Sequence, residues 1–90
     1  MKIFNIILKS ILTFLEKMIK YKDINGDSGI EAYEIGSDKI NVKFRNTAKI
    51  YVYSYASAGK ENIEHMKKLA QSGDGLNSFI NLNVKYKYVK

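Results

Sequence analysis

Lys39-Ile40-Asn41-Val42-Lys43-Phe44 and Ile50-Tyr51-Val52-Tyr53-Ser54-Tyr55, separated by residues 45–49, form the stretch whose reading decides the fold. In the first half Ile40, Val42 and Phe44 alternate with Asn41, Lys43 and Arg45, which is the two-residue period of a strand with one buried face. A strand from about Lys49 to Tyr55 repeats the pattern, Ile50 and Val52 on one side and Tyr51, Tyr53 and Tyr55 on the other. Towards the N-terminus, Gly36-Ser37-Asp38 supplies a turn and Ile30 to Ile35 a further strand. The three strands make an antiparallel meander.

The register of the last two strands determines where the tyrosines point. If residues 45–49 form a five-residue loop, Phe44 faces Ile50 and Val42 faces Val52. Tyr51 and Tyr53 then lie beside Lys43 and Asn41 on an aromatic and basic face. A two-residue turn at Asn46-Thr47 instead sets Val42 against Tyr51 and Ile40 against Tyr53 and buries the tyrosines. The aliphatic pairing favours the first register; parity leaves open whether a helix then covers the tyrosines.

Helical periods flank the strands. Phe4, Ile7, Leu8, Ile11, Phe14, Leu15 and Met18 recur at three- and four-residue steps, with Lys2, Asn5, Lys9, Thr13, Glu16, Lys17 and Lys20 opposite. Residues 1–22 therefore read as an N-terminal amphipathic helix that packs on a core or on a second copy through residues 3–19. Lys9 and Ser10 interrupt it too early for a membrane span, and no small-residue cleavage site follows, so the expectation is an unprocessed, soluble, cytoplasmic chain. Beyond Gly59, Ile63, Met66, Leu69 and Ala70 share a helix face, and Gly73 is a natural stop. Asp74 is placed to cap a last helix carrying Leu76, Phe79, Ile80 and Val84, with Tyr86-Lys87-Tyr88-Val89 as its end or a short extended tail. The expected fold is α+β: a three-stranded antiparallel meander with an N-terminal helix, residues 1–22, and one or two C-terminal helices within a domain of residues 23–90.

Composition narrows the chemistry. Ninety residues, 46% of them hydrophobic, suit one small folded domain with little room for an elaborate active site. The chain has no Cys and one His, His65, which excludes disulfides, thiolate metal sites, Cys nucleophiles and His clusters. The net charge is +6, distributed as +4 over residues 1–22, −4 over 23–42 and +6 over 43–90. A basic balance favours anionic partners. Only Arg45 among the cations offers a forked guanidinium, however, and abundant Lys, Ile and Asn is also what an AT-rich coding sequence produces.

Asp27-Ser28-Gly29-Ile30, Tyr33, Ile40-Asn41-Val42-Lys43-Phe44, the Tyr51-Val52-Tyr53 pair, Ala70, Gly73, Leu76-Asn77, Ile80 and the closing Tyr88 stand in an order and spacing that resemble the KTSC domain, named for the C-terminus of some lysyl-tRNA synthetases. The likeness runs from about Asp27 to Tyr88 and is greatest to stand-alone bacterial and phage members; residues 1–22 lie outside it. The resemblance implies a small α+β module regarded as RNA-binding, with no catalytic residues to carry over.

Exposed tyrosines beside cations suit single-stranded RNA, because bases stack on aromatic rings while ammonium groups neutralise phosphates. The candidate nucleic-acid residues are Lys43, Arg45, Lys49, Tyr51, Tyr53 and Tyr55, extended by Lys85 and Lys87. A weaker alternative is calcium at Asp23, Asn25, Asp27 and Glu34, spaced as in an EF-hand loop. Ser28 stands there where a Gly is required, and strands follow where a helix should; the plainer reading is an Asx-turn with Gly26 and Gly29 in unusual backbone angles. Ser57-Ala58-Gly59-Lys60 lacks the leading Gly and the Ser or Thr of a phosphate loop, and His65 has no partner that would make it a base. The chain is expected to be a non-enzymatic binding module without cofactors. Its partner is RNA or, alternatively, a protein or second copy engaged through Phe4, Ile7, Leu8, Ile11, Phe14, Leu15 and Met18.

Overall fold

A computed structural model describes residues 18–90. Strands β1 (Ile19–Lys20), β2 (Ile30–Ile35), β3 (Lys39–Phe44) and β4 (Ile50–Ser54) form one antiparallel sheet in sequence order. Three helices follow: a single turn, α1 (Tyr55–Ala58), then α2 (Lys60–Ser72) and α3 (Leu76–Phe79), which continues as a π-helical turn over Ile80–Val84. None of the described helices is long and apolar enough to cross a membrane.

The α+β class is as expected, but the sheet has four strands rather than three. Ile19 pairs with Tyr33 and Lys20 with Ala32, and the Tyr21 N–H donates to the Glu31 carbonyl at 2.9 Å. A helix running to residue 22 would leave the outer edge of β2 without these backbone partners. Met18 lies in no regular element, and Phe4 through Leu15 of the expected interaction helix lie outside the described residues.

One face of the sheet carries the core. Tyr33, Ile40, Val42 and Tyr53 are buried with Ile63, Met66 and Ala70 of α2, and with Leu76, Ile80 and Val84 beyond it. Ile30 and Tyr33 are three residues apart, a spacing that would normally set them on opposite faces. A bulge at Glu31, between the Ile30–Phe44 and Ala32–Lys43 pairs, returns both to the core. Leu76, Ile80 and Val84 follow at strict four-residue steps, which an α-helix would rotate by about 40° each. The wider π turn removes part of that drift and keeps Val84 buried.

Local signals set the element ends. Ser54 closes β4 and caps α1: its Oγ accepts from the Ser57 N–H at 3.1 Å, and Ser57 Oγ accepts from the Ser54 N–H at 3.0 Å. The last strand therefore stops one residue before the expected Tyr55. Gly75, at φ 84°, and not Asp74, occupies the N-cap of α3; Asp74 instead accepts a hydrogen bond from Asn25. The C-terminal tail returns to the sheet, where the Val89 N–H donates to the Val52 carbonyl at 2.7 Å.

Gly73 ends α2 at φ 79°, and a Cβ there would lie 2.6 Å from the Lys22 Cβ. Gly26 has a similar φ of 74° with open space around it. Gly26→Ala should therefore lose only the left-handed backbone preference, on the order of 1 kcal/mol, whereas Gly73→Ala adds a clash and should lose clearly more. Urea unfolding midpoints of the two variants give the comparison.

Candidate nucleic-acid interface

The β3–β4 register is the one that buries tyrosines. Val42 faces Tyr51 and Ile40 faces Tyr53, so the expected pairing of Phe44 with Ile50 and of Val42 with Val52 is overturned. The strands are joined by residues 45–49, but the last ladder pair is Lys43–Ile50, one residue out of the expected register, and Asn46 in this connection adopts φ 67°, a left-handed angle that Asn tolerates better than most residues. Tyr rings also bury more apolar area than Ile or Val, and Tyr88 from the tail packs edge-on against both, with ring centroids 4.9 Å from Tyr51 and 6.3 Å from Tyr53.

The three tyrosines therefore separate. Tyr53 is 1% exposed and belongs to the core. Tyr55 lies on α1, where its hydroxyl donates to Glu64 Oε2 at 2.7 Å; that bond pushes the phenol pKa up. Glu64, which also takes Lys67 Nζ at 2.8 Å, is held below the usual carboxylate range, Lys67 contributing most. Tyr51 alone stays half-buried at the wall of a cleft of about 260 Å³.

That cleft lies between the end of the sheet and the C-terminal segment. Phe44, Tyr51, Tyr53, Tyr86 and Tyr88 give it an aromatic lining, completed by Thr47, Ile80, Asn81 and Lys85. Phe44 meets Tyr51 edge to face at 5.4 Å. Cations sit over the rings: Lys49 Nζ is 4.9 Å from the Tyr51 centroid and 5.6 Å from that of Tyr88, Lys85 Nζ is 5.4 Å from Tyr86, and Lys90 Nζ is 5.9 Å from Tyr88. Tyr86 is 69% exposed.

Of the candidate residues, the structure brings Lys49, Tyr51 and Lys85 together. It takes Lys43 away, onto the opposite sheet face, where Nζ pairs with Glu31 at 2.6 Å and holds that carboxylate's pKa down. Arg45 is turned to the β1–β2 loop, its Nε donating to the Ser28 carbonyl at 3.0 Å and Nη2 lying 3.3 Å from Asp23 Oδ2. Lys87 is exposed, outside the cleft lining. Phe44, Tyr86 and Tyr88 were not among the candidates. The alternation of aromatic and Lys residues from Lys85 to Tyr88 was the available signal; its place against β4 is a long-range contact that no local pattern announces.

The calcium alternative does not assemble. Glu34 lies on β2 and accepts from Asn41 Nδ2 at 3.0 Å, while Asp23 spends Oδ1 on the Ser28 N–H and Oδ2 on Arg45. Asp74 joins Asn25 instead, at 3.1 Å, in a polar cleft of about 250 Å³. Among the described residues no three His, Cys, Asp or Glu side chains are grouped to hold a metal ion. The unusual backbone angles of this loop belong to Asp23 and Gly26, not to Gly29. His65 is exposed and packs on Phe79, ring centroids 4.7 Å apart.

No family model, curated protein or solved structure matches the chain.

Burial, with Tyr51 and Tyr88 alongside, pushes the Tyr53 phenol up to about 12 from 10.0. The folded state then keeps a proton that the unfolded state releases, so stability is full below pH 10 and falls as pH rises towards 12. Between these values the slope from Tyr53 should be about 1.4 kcal/mol per pH unit. Tyr53→Phe should remove that share of the slope, leaving the shares of Tyr21, which burial also raises, and of Tyr55, raised by its bond to Glu64. Urea midpoints measured at successive alkaline pH values test it.

Proposed function

We propose that this chain is a non-enzymatic module that binds single-stranded RNA, its bases held in the cleft of Phe44, Tyr51, Tyr86 and Tyr88 and its phosphates by Lys49 and Lys85. The observation that carries the reading is the convergence of four aromatic rings and several ammonium groups on one concave surface. A stacked base gains about 1–3 kcal/mol on an aromatic ring, more than the roughly 0.5–1 kcal/mol of an exposed cation–π contact. A base entering over Tyr51 therefore displaces the Lys49 ammonium outward, where it meets the phosphate. Concavity favours single strands, whose bases splay into a cleft, over a duplex, whose bases are stacked inside. The resemblance to the KTSC domain points to the same ligand class.

Fluorescence anisotropy with a labelled single-stranded RNA, and duplex DNA as control, tests the reading. Tyr51→Ala and Tyr86→Ala should each weaken RNA binding by roughly 5- to 100-fold, the range of one lost stacking contact. Lys68→Gln, which removes one positive charge at an exposed position outside the cleft, is the control for Lys49→Gln. Unchanged affinity in both tyrosine variants, with their folds intact by circular dichroism, or equal affinity for duplex DNA, would reject it. Lys49→Gln should reduce the slope of log K against log salt by roughly 0.7, the contribution of one phosphate on a single strand.

A further inference from the structure

The polar part of the aromatic cleft bears on which bases it takes, an inference that rests on the single-stranded RNA reading above. Ile80 and Val84 are buried, and Asn81 and Lys85, each one residue further along the π-helical segment, are exposed and both line the cleft. The segment thus keeps one four-residue pair in the core and gives the next to the cleft wall, and π turns recur at functional sites. Asn83 spends its amide on the Phe79 carbonyl at 3.1 Å and lies outside the cleft; the Asn81 amide makes no such bond among the described residues. Thr47, also in the lining, already accepts the Lys49 N–H on Oγ1 at 3.1 Å, which leaves its O–H to donate.

These groups give the cleft an uneven inventory. Thr47, the Asn81 Nδ2 group and the ammonium groups of Lys49 and Lys85 are donors, and no Asp, Glu or His is in the lining. Apart from the tyrosine hydroxyls, which serve in either sense, the side-chain acceptor left free is Asn81 Oδ1. We propose that the cleft prefers the keto bases uracil and guanine over the amino bases cytosine and adenine, and that Asn81 is the residue that reads them. Uracil and guanine each set a carbonyl oxygen beside a ring N–H, which one amide meets with one donor and one acceptor. The carbonyl keeps a second lone pair for Thr47 or an ammonium. Cytosine and adenine also pair with an amide, but an amino group replaces that oxygen. It has no lone pair to offer, and it turns its hydrogens towards groups that bring donors of their own. Selection of this kind comes from the mismatch with the wrong base as much as from contacts to the right one.

Fluorescence anisotropy of labelled oligo-U and oligo-C of equal length, at neutral pH and one salt concentration, tests the proposal. The two have the same backbone and ring size, so a difference reports the base edge. Oligo-U should bind about 5-fold more tightly or better, the lower end of discrimination by one bidentate contact. Asn81→Asp replaces the amide donor by a carboxylate, which accepts from the cytosine amino group, and should bring the ratio close to one or invert it. Its added negative charge weakens all RNA alike and cancels in the ratio. Asn83→Asp, the same charge change outside the cleft, should leave the ratio as it was. Circular dichroism checks both folds; both positions are exposed. Equal binding of the two oligonucleotides, or tighter binding of oligo-C, would overturn this inference and leave the RNA reading standing. A preference for oligo-U that survives Asn81→Asp would overturn the role of Asn81. Absence of binding to either would reject the RNA reading, and this inference with it.

Discussion

Tyr53 lies opposite Ile40 in the middle of the sheet, in the core shared with Ile63 and Met66 of α2, and the rest of the molecule depends on that pairing. A shift by one residue would turn every side chain of β4 over. Ile50 and Val52 would enter the core and Tyr51 and Tyr53 would leave it. Tyr88 would lose both rings against which it packs, and the tail would lose its seat on β4. The aromatic cleft exists because the register holds. It is the rim of a core aromatic cluster, and Tyr53 at its floor fixes Tyr51 and Tyr88 at its walls.

This explains which parts of the structure were legible in the chain. Strands over 30–35, 39–44 and 50–54 and the helix after Gly59 carry their own periods, and the glycine at 73 carries its own stop. Of two registers that both give clean alternation, aliphatic pairing favoured the wrong one, because Tyr88, which packs on Tyr53, lies 35 residues beyond it in the sequence. The two-residue β1 has no period to read at all; it exists because β2 offers it unpaired backbone groups. Only part of the candidate set comes together in the fold, for a related reason. Lys49, Tyr51 and Lys85 were named on type and neighbourhood, but Lys43 and Arg45 each met an acid close by in space and were drawn off.

The charge distribution acquires a structural meaning in the fold. Part of the acidic middle of the sequence, residues 23–42, is matched by cations that follow it in the chain. Asp23 and Glu31 each hold a cation from β3 or its following loop, at Arg45 and Lys43, and Glu34 accepts from Asn41. These exposed and half-exposed ion pairs add little stability individually. Lys49, Lys85 and Lys90, which stand over the rings of the aromatic cleft, are in no such ion pair among the described residues, so their charge is available to a ligand there.

The Val89–Val52 hydrogen bond occupies the otherwise open side of β4, while the opposite margin of the sheet is only two residues long. Neither margin offers a long row of free backbone groups, so strand-to-strand association between molecules has no ready template. The guard on β4, however, is the segment that carries Tyr88 into the cleft. A ligand that levered Tyr88 from its place would also strip the guard from β4, so occupancy of the cleft and resistance to self-association are mechanically tied. The ligand geometry compatible with a dispersed protein is one that stacks on Tyr51 and Tyr86 and leaves Tyr88 where it is.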